Sequence, residues 1–328
     1  MRAFRLIAAV LCVLSVSSRA ADVLKVGIIG ADTSHVPAFT KMLNAPDAEG
    51  DLAGFKVVAA FPGGSDDIPS SKDRVGKFTD ELKAMNVEIV DSVEALVAKV
   101  DVVLLESVDG RPHLKQALPV LKAKKPIFID KPVAGSLADA VEIFRVAKEL
   151  NVPCFSSSSL RYAPSMAGVA SDPKVGKVVG CTVWGPCALE SHHPDLFWYG
   201  IHGVESLFTI MGSGCESVSR VQTKDFELAV GVWKDGRIGT FRGVRAPKTD
   251  YGATVFGSIG IVPVSGGGSY KPLVIEIAKF FKSGKPPVSA EDTLEIYAFM
   301  EAADESKRQG GKQITIESVL TAAKNTQK

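Results

Sequence analysis

Short apolar runs alternate with amphipathic stretches through the first half of the chain. Leu24-Lys25-Val26-Gly27-Ile28-Ile29-Gly30 opens the series, and Lys56 to Phe61, Asp101 to Leu105, Pro126 to Ile129 and Val152 to Phe155 continue it. Helical spacing fills the gaps, first over Val36 to Leu43, with Pro37 in the first turn where its missing N–H costs little. The clearest helix runs from Ser136 to Leu150. Ser136 and Asp139 have capping-box spacing, and Leu137, Val141 and Phe144 with Ala140 and Ala147 form one apolar stripe. Strands that are apolar throughout and alternate with helices predict a parallel sheet covered on both faces. Residues 22–153 therefore read as one α/β, doubly wound, Rossmann-like domain.

The pattern changes from Val175 onward. Lys177 to Trp184, Ser217 to Gln222 and Phe226 to Val232 are strand-like, and Lys234-Asp235-Gly236-Arg237 is a hairpin turn leading into Ile238 to Gly243. Tyr251 to Phe256 and Gly260 to Val264 add strands. Helices follow over Leu273 to Phe281 and Ser289 to Lys307, then a short strand from Gln313 to Ile316. Residues 154–328 thus read as an α+β domain, an open and mainly antiparallel sheet with helices on one face.

Composition narrows the partners. The chain has 328 residues, 46% hydrophobic and 23% charged, with a formal charge of +1. That is enough for two domains with cores, and the lack of a basic run argues against nucleic acid. Met1-Arg2-Ala3-Phe4-Arg5, the apolar stretch Leu6 to Val16 and the small residues Ser17 to Ala21 read as a Sec signal peptide over residues 1–21. The apolar stretch is too short for a permanent span, so the mature protein is expected to be periplasmic or extracellular with no stable membrane insertion. Cys154, Cys181, Cys187 and Cys215 remain after cleavage; Cys181 and Cys187 are the nearest pair, and disulfides or buried thiols both suit an exported chain. Their spacing is not a zinc pattern. His192-His193-Pro194-Asp195 lacks a third ligand at a useful spacing, so no metal is expected.

The candidate chemistry lies at strand ends. Helix N-terminal amides favour a pyrophosphate, and the usual dinucleotide turn reads Gly-x-Gly-x-x-Gly. Gly30 matches the first position, whereas Asp32 and His35 occupy the second and third. Thr33 and Ser34 can donate to a phosphate, and His35 can help if charged. The acid that normally grips the adenosine ribose is displaced into Pro62-Gly63-Gly64-Ser65-Asp66-Asp67, which makes Ser65 a candidate contact. Lys72 and Arg74 lie near enough in sequence to accept a 2′-phosphate, so NAD and NADP both stay open. In Lys125 to Val133 an apolar run ends in Asp130-Lys131-Pro132. In an open parallel sheet ligands gather at that end of the strands. Downstream, Trp198-Tyr199-Gly200-Ile201-His202-Gly203 opens a helix over Val204 to Met211; His202 can serve acid–base chemistry or cap that helix. Arg161 and Tyr162 follow Ser156 to Ser159 where the domains should meet, a common pocket location. They and His193 are candidate substrate contacts, and Arg161 can equally form an interdomain salt bridge.

Three passages resemble the glucose–fructose oxidoreductase, inositol dehydrogenase and rhizopine-catabolism (Gfo/Idh/MocA) oxidoreductases. Val26 to Gly30 resembles that family's first strand. Ser107 to Ala117, with Pro112-His113-Leu114, resembles its threonine–proline–asparagine loop. Ile129-Asp130-Lys131-Pro132-Val133 resembles its Glu-Lys-Pro signature. The resemblance implies an NAD(P) cofactor touching Ser107, Asp130 and Lys131, with His113 near the substrate. It also implies that Lys131 bonds the substrate hydroxyl and that His202 is the general base. Oxidising a carbinol needs both, a base for the O–H proton and a cation for the developing alkoxide. The family's carboxylate four residues before the histidine is Trp198 here. Tyr199-x-x-His202-Gly203 is similar instead to a branch described as NAD-dependent, redox-neutral glycoside hydrolases, which makes Tyr199 an assisting residue. The expectation is an exported NAD(P)-dependent oxidoreductase for a sugar, polyol or glycoside, with tightly bound cofactor and a homo-oligomeric second domain. The alternatives are redox-neutral glycoside cleavage and a non-catalytic periplasmic sugar-binding protein, the latter suggested by Asp32, the displaced ribose acid and Trp198.

Overall fold

The computed structural model describes residues 23–326, so the leader expected over residues 1–21 lies outside the described residues. The first sheet holds β1 (Leu24–Ile29), β2 (Phe55–Phe61), β3 (Glu88–Ile89), β4 (Val102–Leu105), β5 (Ile127–Ile129) and β6 (Cys154–Ser156). Their order is β3-β2-β1-β4-β5-β6 and every pairing is parallel. Helices α1 (His35–Leu43), α2 (Pro69–Ala84), α3 (Val93–Val97), α4 (His113–Lys122) and α5 (Leu137–Glu149) make the crossovers. Ser136 caps α5 by accepting the Asp139 amide at 3.1 Å. Alternate side chains of each strand enter different layers: Val103, Leu105, Ile127 and Ile129 pack with α3, α4 and α5, whereas Val102, Leu104 and Phe128 pack with α1. Chain order reverses between β2 and β4 around β1, which opens a crevice at the carboxyl ends of the strands. Gly30 closes β1 with φ +88°, and a Cβ there would lie 2.3 Å from the Ser107 amide nitrogen. Only glycine lets β1 end so close to β4.

The second sheet contains β7 (Val178–Pro186), β8 (Cys215–Gln222), β9 (Phe226–Trp233), β10 (Ile238–Val244), β11 (Gly252–Gly257), β12 (Ile261–Ser265) and β13 (Ile314–Thr315). The order is β12-β11-β7-β10-β9-β8-β13, antiparallel except where β10 meets β7. The expected hairpin is present, with Gly236 at φ +83° and the Trp233 amide bonded to the Arg237 carbonyl. The short α6 (Pro164–Ala167) follows β6, α7 (Ile201–Met211) and α9 (Ala290–Arg308) cover the inner face, and α10 (Ile316–Thr326) packs on α5 and α9. Cys154, Cys181, Cys187 and Cys215 are all free and buried, and the Cys187 thiol donates to Glu227 at 2.6 Å. Among the described residues no helix is long and apolar enough to cross a membrane.

One helix departs from the linear reading. The segment expected to cover the second sheet, α8 (Lys271–Ser283), returns to the first domain. Leu273, Val274, Ile277 and Phe280 join Val26, Ile28, Phe39 and Phe128 in one core, and Phe280 meets Phe155 edge-on at 4.8 Å. The reason is coverage. Helices α3, α4 and α5 all lie on one face, so β4, β5 and β6 have no crossover helix on the other, and α8 fills that face. The core therefore crosses the division expected at residues 153 and 154. Truncating Phe280 to Ala should destabilise the protein by about 3–5 kcal/mol, the usual cost of emptying a buried aromatic site. A fragment ending at residue 158 should give no cooperative urea transition, because it lacks α8.

Candidate active site

A cavity of about 480 Å³ lies between the carboxyl edge of the first sheet and the second domain. The start of α1 contributes Thr33, Ser34 and His35, and α2 contributes Ser70 and Arg74. Lys131 comes from the end of β5, while Trp198, Tyr199 and His202 come from the turn entering α7. Tyr251 and Tyr270 close the remaining wall. Chain positions from 33 to 270 thus converge on one space, and Lys131, His202 and Tyr199 share it.

Asp130, next to Lys131 in the chain, is fully buried. Its Oδ1 accepts the Lys131 amide at 2.8 Å, and its Oδ2 lies 2.6 Å from His35 Nδ1. Burial alone would raise its pKa, but the His35 and Lys131 interactions outweigh that and hold it below the usual carboxylate value. His35 Nδ1 is thereby committed to Asp130, while the ring lines the α1 end of the cavity. Its ring also stacks on Phe39 at 5.0 Å and meets Tyr270 edge-on at 4.5 Å. Burial pushes the Lys131 amine down against the pull of Asp130, and the Arg74 cation adds to the lowering. Glu106, wholly buried with neither oxygen hydrogen-bonded, is pushed well up by burial and by the charges of Asp130 and Asp32. It is therefore a neutral acid beside a charged one.

His202 sits in the first turn of α7 with Nδ1 2.7 Å from Ser158 Oγ. Burial, then the nearby Lys131 and His35, hold it well below the ordinary imidazole value, so the ring is neutral near pH 7. One turn later Glu205 accepts the Ser157 hydroxyl at 2.5 Å, the Ser158 amide at 2.7 Å and Arg161 Nε at 2.7 Å. Helix α7 thus supplies both the imidazole and the carboxylate that fixes the imidazole's neighbour. Tyr199 meets the His202 ring edge-on at 5.3 Å.

Of the expected contacts, Gly30, Asp130 and six others do not line the cavity. Arg161 is paired with Glu205, and Tyr162 packs against the first core with its hydroxyl buried. His113 is buried between the carbonyls of Ser107 and Val133, and Ser107 donates to Gln116. Ser65 donates to Asp109 at 2.6 Å, and His193 Nε2 lies 3.1 Å from both the Gly110 amide nitrogen and Asp109 Oδ1, with Glu190 3.0 Å from its Nδ1. Arg111 completes that cluster by bridging Asp109 to Asp67. Burial works against the Asp109 charge, but bonds from His193, Arg111 and Ser65 hold its pKa far below the usual range. Each of these side chains spends its hydrogen bonds joining loops, and Asp109 with His193 ties the first domain to the second. Among the described residues no group of three His, Cys, Asp or Glu side chains could hold a metal ion.

The cavity's α1 end suits an anion. Asp32, at the second fingerprint position, turns away from it: Oδ1 accepts the Val108 amide at 2.8 Å and Oδ2 the Ser71 hydroxyl at 2.6 Å. Burial raises its pKa against the lowering effect of those two bonds. Thr33 Oγ1 and Ser70 Oγ are buried with no hydrogen-bond partner, and Arg74 lines the same wall. Two orphan hydroxyls, one guanidinium and the amides opening α1 fit a diphosphate. Arg74 was legible as a charge near the β2 turn. Ser70, Ser158, Glu205, Tyr251 and Tyr270 carried no motif.

Known proteins agree with this architecture. Residues 24–158 match the family described as "Oxidoreductase family, NAD-binding Rossmann fold", GFO_IDH_MocA. The first domain of the chain is that of the Gfo/Idh/MocA oxidoreductases. An inositol 2-dehydrogenase of Mycolicibacterium vanbaalenii is 29% identical over 140 residues, 42% of this chain and 35% of that protein. The chain spans less than half the length of the curated relatives it matches. Among solved structures, a probable dehydrogenase from Thermotoga maritima superposes with a TM-score of 0.72 at 20% identity, covering 90% of this chain and all of that one. The myo-inositol dehydrogenase of Lactobacillus casei, solved with NAD(H) and myo-inositol, gives 0.70 at 18% identity over 89% and 96% of the two chains. These likenesses extend the Gfo/Idh/MocA fold through the second sheet.

The depressed His202 pKa has a consequence for stability. Below about pH 6.5 the unfolded chain protonates this residue while the folded one does not, so stability falls as pH falls. The contribution is about 1.4 kcal/mol per pH unit until the folded pKa is reached. Urea unfolding between about pH 7 and about pH 5 should show a shallower pH dependence for His202→Gln than for the unaltered protein.

Proposed function

We propose that this protein is an exported NAD(P)-dependent dehydrogenase acting on a hydroxyl of a sugar or polyol. The observation that carries the reading is the convergence of Lys131 and His202 in one cavity, each with its terminal nitrogen free of any hydrogen bond among the described residues. Near neutral pH Lys131 supplies a cation for an oxygen that is losing its proton, and the neutral His202 ring is a second polar group for the same hydroxyl. A bound nicotinamide dinucleotide supplies the hydride acceptor. Thr33, Ser70, Arg74 and the amides opening α1 would hold its diphosphate. Because free cofactor is scarce outside the cell, the dinucleotide is retained tightly, and both NAD and NADP suit a wall bearing Arg74. Trp198, Tyr199, Tyr251 and Tyr270 offer ring faces to the C–H surface of a sugar. The myo-inositol bound by the Lactobacillus casei relative supports a polyol.

Tyr199 beside His202 favours a second reading, transient oxidation of a glycoside followed by elimination and return of the hydride. Aryl glycosides separate the two readings, since cleavage without accumulation of reduced nicotinamide selects the second. In either case Lys131→Ala should lower kcat/KM by about 10²–10⁴-fold while leaving the melting temperature unchanged or higher. Full activity in that variant would remove Lys131 from the mechanism.

The outer face of the second sheet supports self-association. Val221, Leu228, Ile238, Phe256 and Ile261 all point outward there and are 37–69% exposed. A second copy would cover this patch. Sedimentation should report an oligomer that Ile238→Glu dissociates, and a monomeric unaltered protein would refute the pairing.

A further inference from the structure

Two imidazoles line the cavity, and the hydrogen bonds behind them have opposite sense. His35 Nδ1 faces Asp130 Oδ2 at 2.6 Å, while Asp130 Oδ1 is already accepting the Lys131 amide. An ionised carboxylate only accepts, so His35 must carry its hydrogen on Nδ1. In the neutral ring the lone pair is then on Nε2, which has no partner among the described residues and is not among the buried unpaired atoms. The stacking of Phe39 and the edge contact of Tyr270 hold the ring in that orientation. His202 is the reverse case. The Ser158 hydroxyl 2.7 Å from its Nδ1 already accepts the Leu160 amide at 3.2 Å. Among the described residues, no acceptor other than Nδ1 is bonded to this buried hydroxyl, whose hydrogen is assigned to it. Ser158 therefore donates, and the neutral His202 ring carries its hydrogen on Nε2.

We propose that His35, oriented by Asp130, is the catalytic proton acceptor of this site, and that His202, oriented by Ser158, donates a hydrogen bond to the same substrate oxygen. The assignment rests on the dehydrogenase reading and deepens it. The substrate O–H bond breaks and its proton passes to His35 Nε2, giving an imidazolium paired with Asp130. The electron pair left on oxygen becomes the C=O bond as the carbon gives up its hydride to the oxidised nicotinamide, the oxidant in this reaction. Lys131 and the Nε2–H of His202 donate to that oxygen while negative charge develops on it. Asp130 is a positioning residue: the carboxylate selects the tautomer, as the aspartate does in a serine-protease triad.

The test reads tautomers directly and needs no turnover. Nitrogen-15 correlation spectra of the labelled mature protein, at a pH where both rings are neutral, distinguish bare from protonated ring nitrogens. The expected pattern is a bare Nε2 in His35 and a bare Nδ1 in His202. In Asp130→Asn the amide oxygen keeps the Lys131 N–H and the NH₂ turns to His35, so the His35 tautomer should reverse. Ser158→Ala should release the preference of His202 and leave His35 unaltered. Opposite tautomers in the unaltered protein overturn the proposal. In turnover assays His35→Gln should lose about 10²–10⁴-fold, more than His202→Gln, while NADH still raises its melting temperature. The reverse ranking also overturns the proposal. If the unaltered protein oxidises no polyol at all, the dehydrogenase reading fails, and the tautomers still decide whether His35 is built as the acceptor.

Discussion

A single buried negative charge, that of Asp130, organises the centre of this protein. An ionised carboxylate taken out of water is costly unless donors surround it. Here one oxygen is held by the backbone of Lys131 and the other by His35. The His35 bond also fastens the end of β5 to the start of α1, so the charge and the geometry of the crevice are mutually dependent. Two further carboxyls lie close by, and neither competes. Glu106 stays neutral through burial, and Asp32 turns its oxygens to the Val108 amide and the Ser71 hydroxyl. Of the nearby carboxylates, Asp130 therefore acts most strongly on Lys131.

The second domain is registered to this centre by polar groups. Glu205 gathers Ser157, the Ser158 amide and Arg161, which places the Ser158 hydroxyl against His202. On the other side Asp109 collects Ser65, Arg111 and His193 from three separate loops. The solvent-exposed pair of Arg111 with Asp67 contributes little by itself. The buried part of the cluster matters more, because removing one partner leaves the Asp109 charge unanswered. Helix α8 supplies the apolar counterpart, a second-half segment seated in the first core.

The parallel sheet and its helices were legible because a strand buried on both faces must be apolar throughout, and the strands of the first sheet are largely so. The destination of α8 was not legible. Its periodicity reports a buried face, while the choice of sheet depends on which face the crossovers leave open. Among the site residues, Lys131 and His202 could be read from strand-end and helix-start positions. His113, His193, Ser65 and Ser107 look equally polar and equally close to the crevice in sequence. Whether such a side chain faces a ligand or closes a loop depends on where its hydrogen bonds go, and that is fixed only when distant loops meet.

The two departures from the family pattern then become one. Trp198 stands where a carboxylate would precede His202, and that indole packs on His193 at 5.0 Å. His35 stands where the phosphate-binding turn would have a glycine. A carboxylate–imidazole pair is thus missing from the α7 wall and present on the α1 wall, where Asp130 and His35 supply it. The glycine position was free to take a side chain because Asp32 folds inward and leaves the approach to Thr33 and Ser70 open. The altered fingerprint and the altered histidine motif are consistent with one rearrangement, in which proton transfer sits on the same helix that opens toward the cofactor.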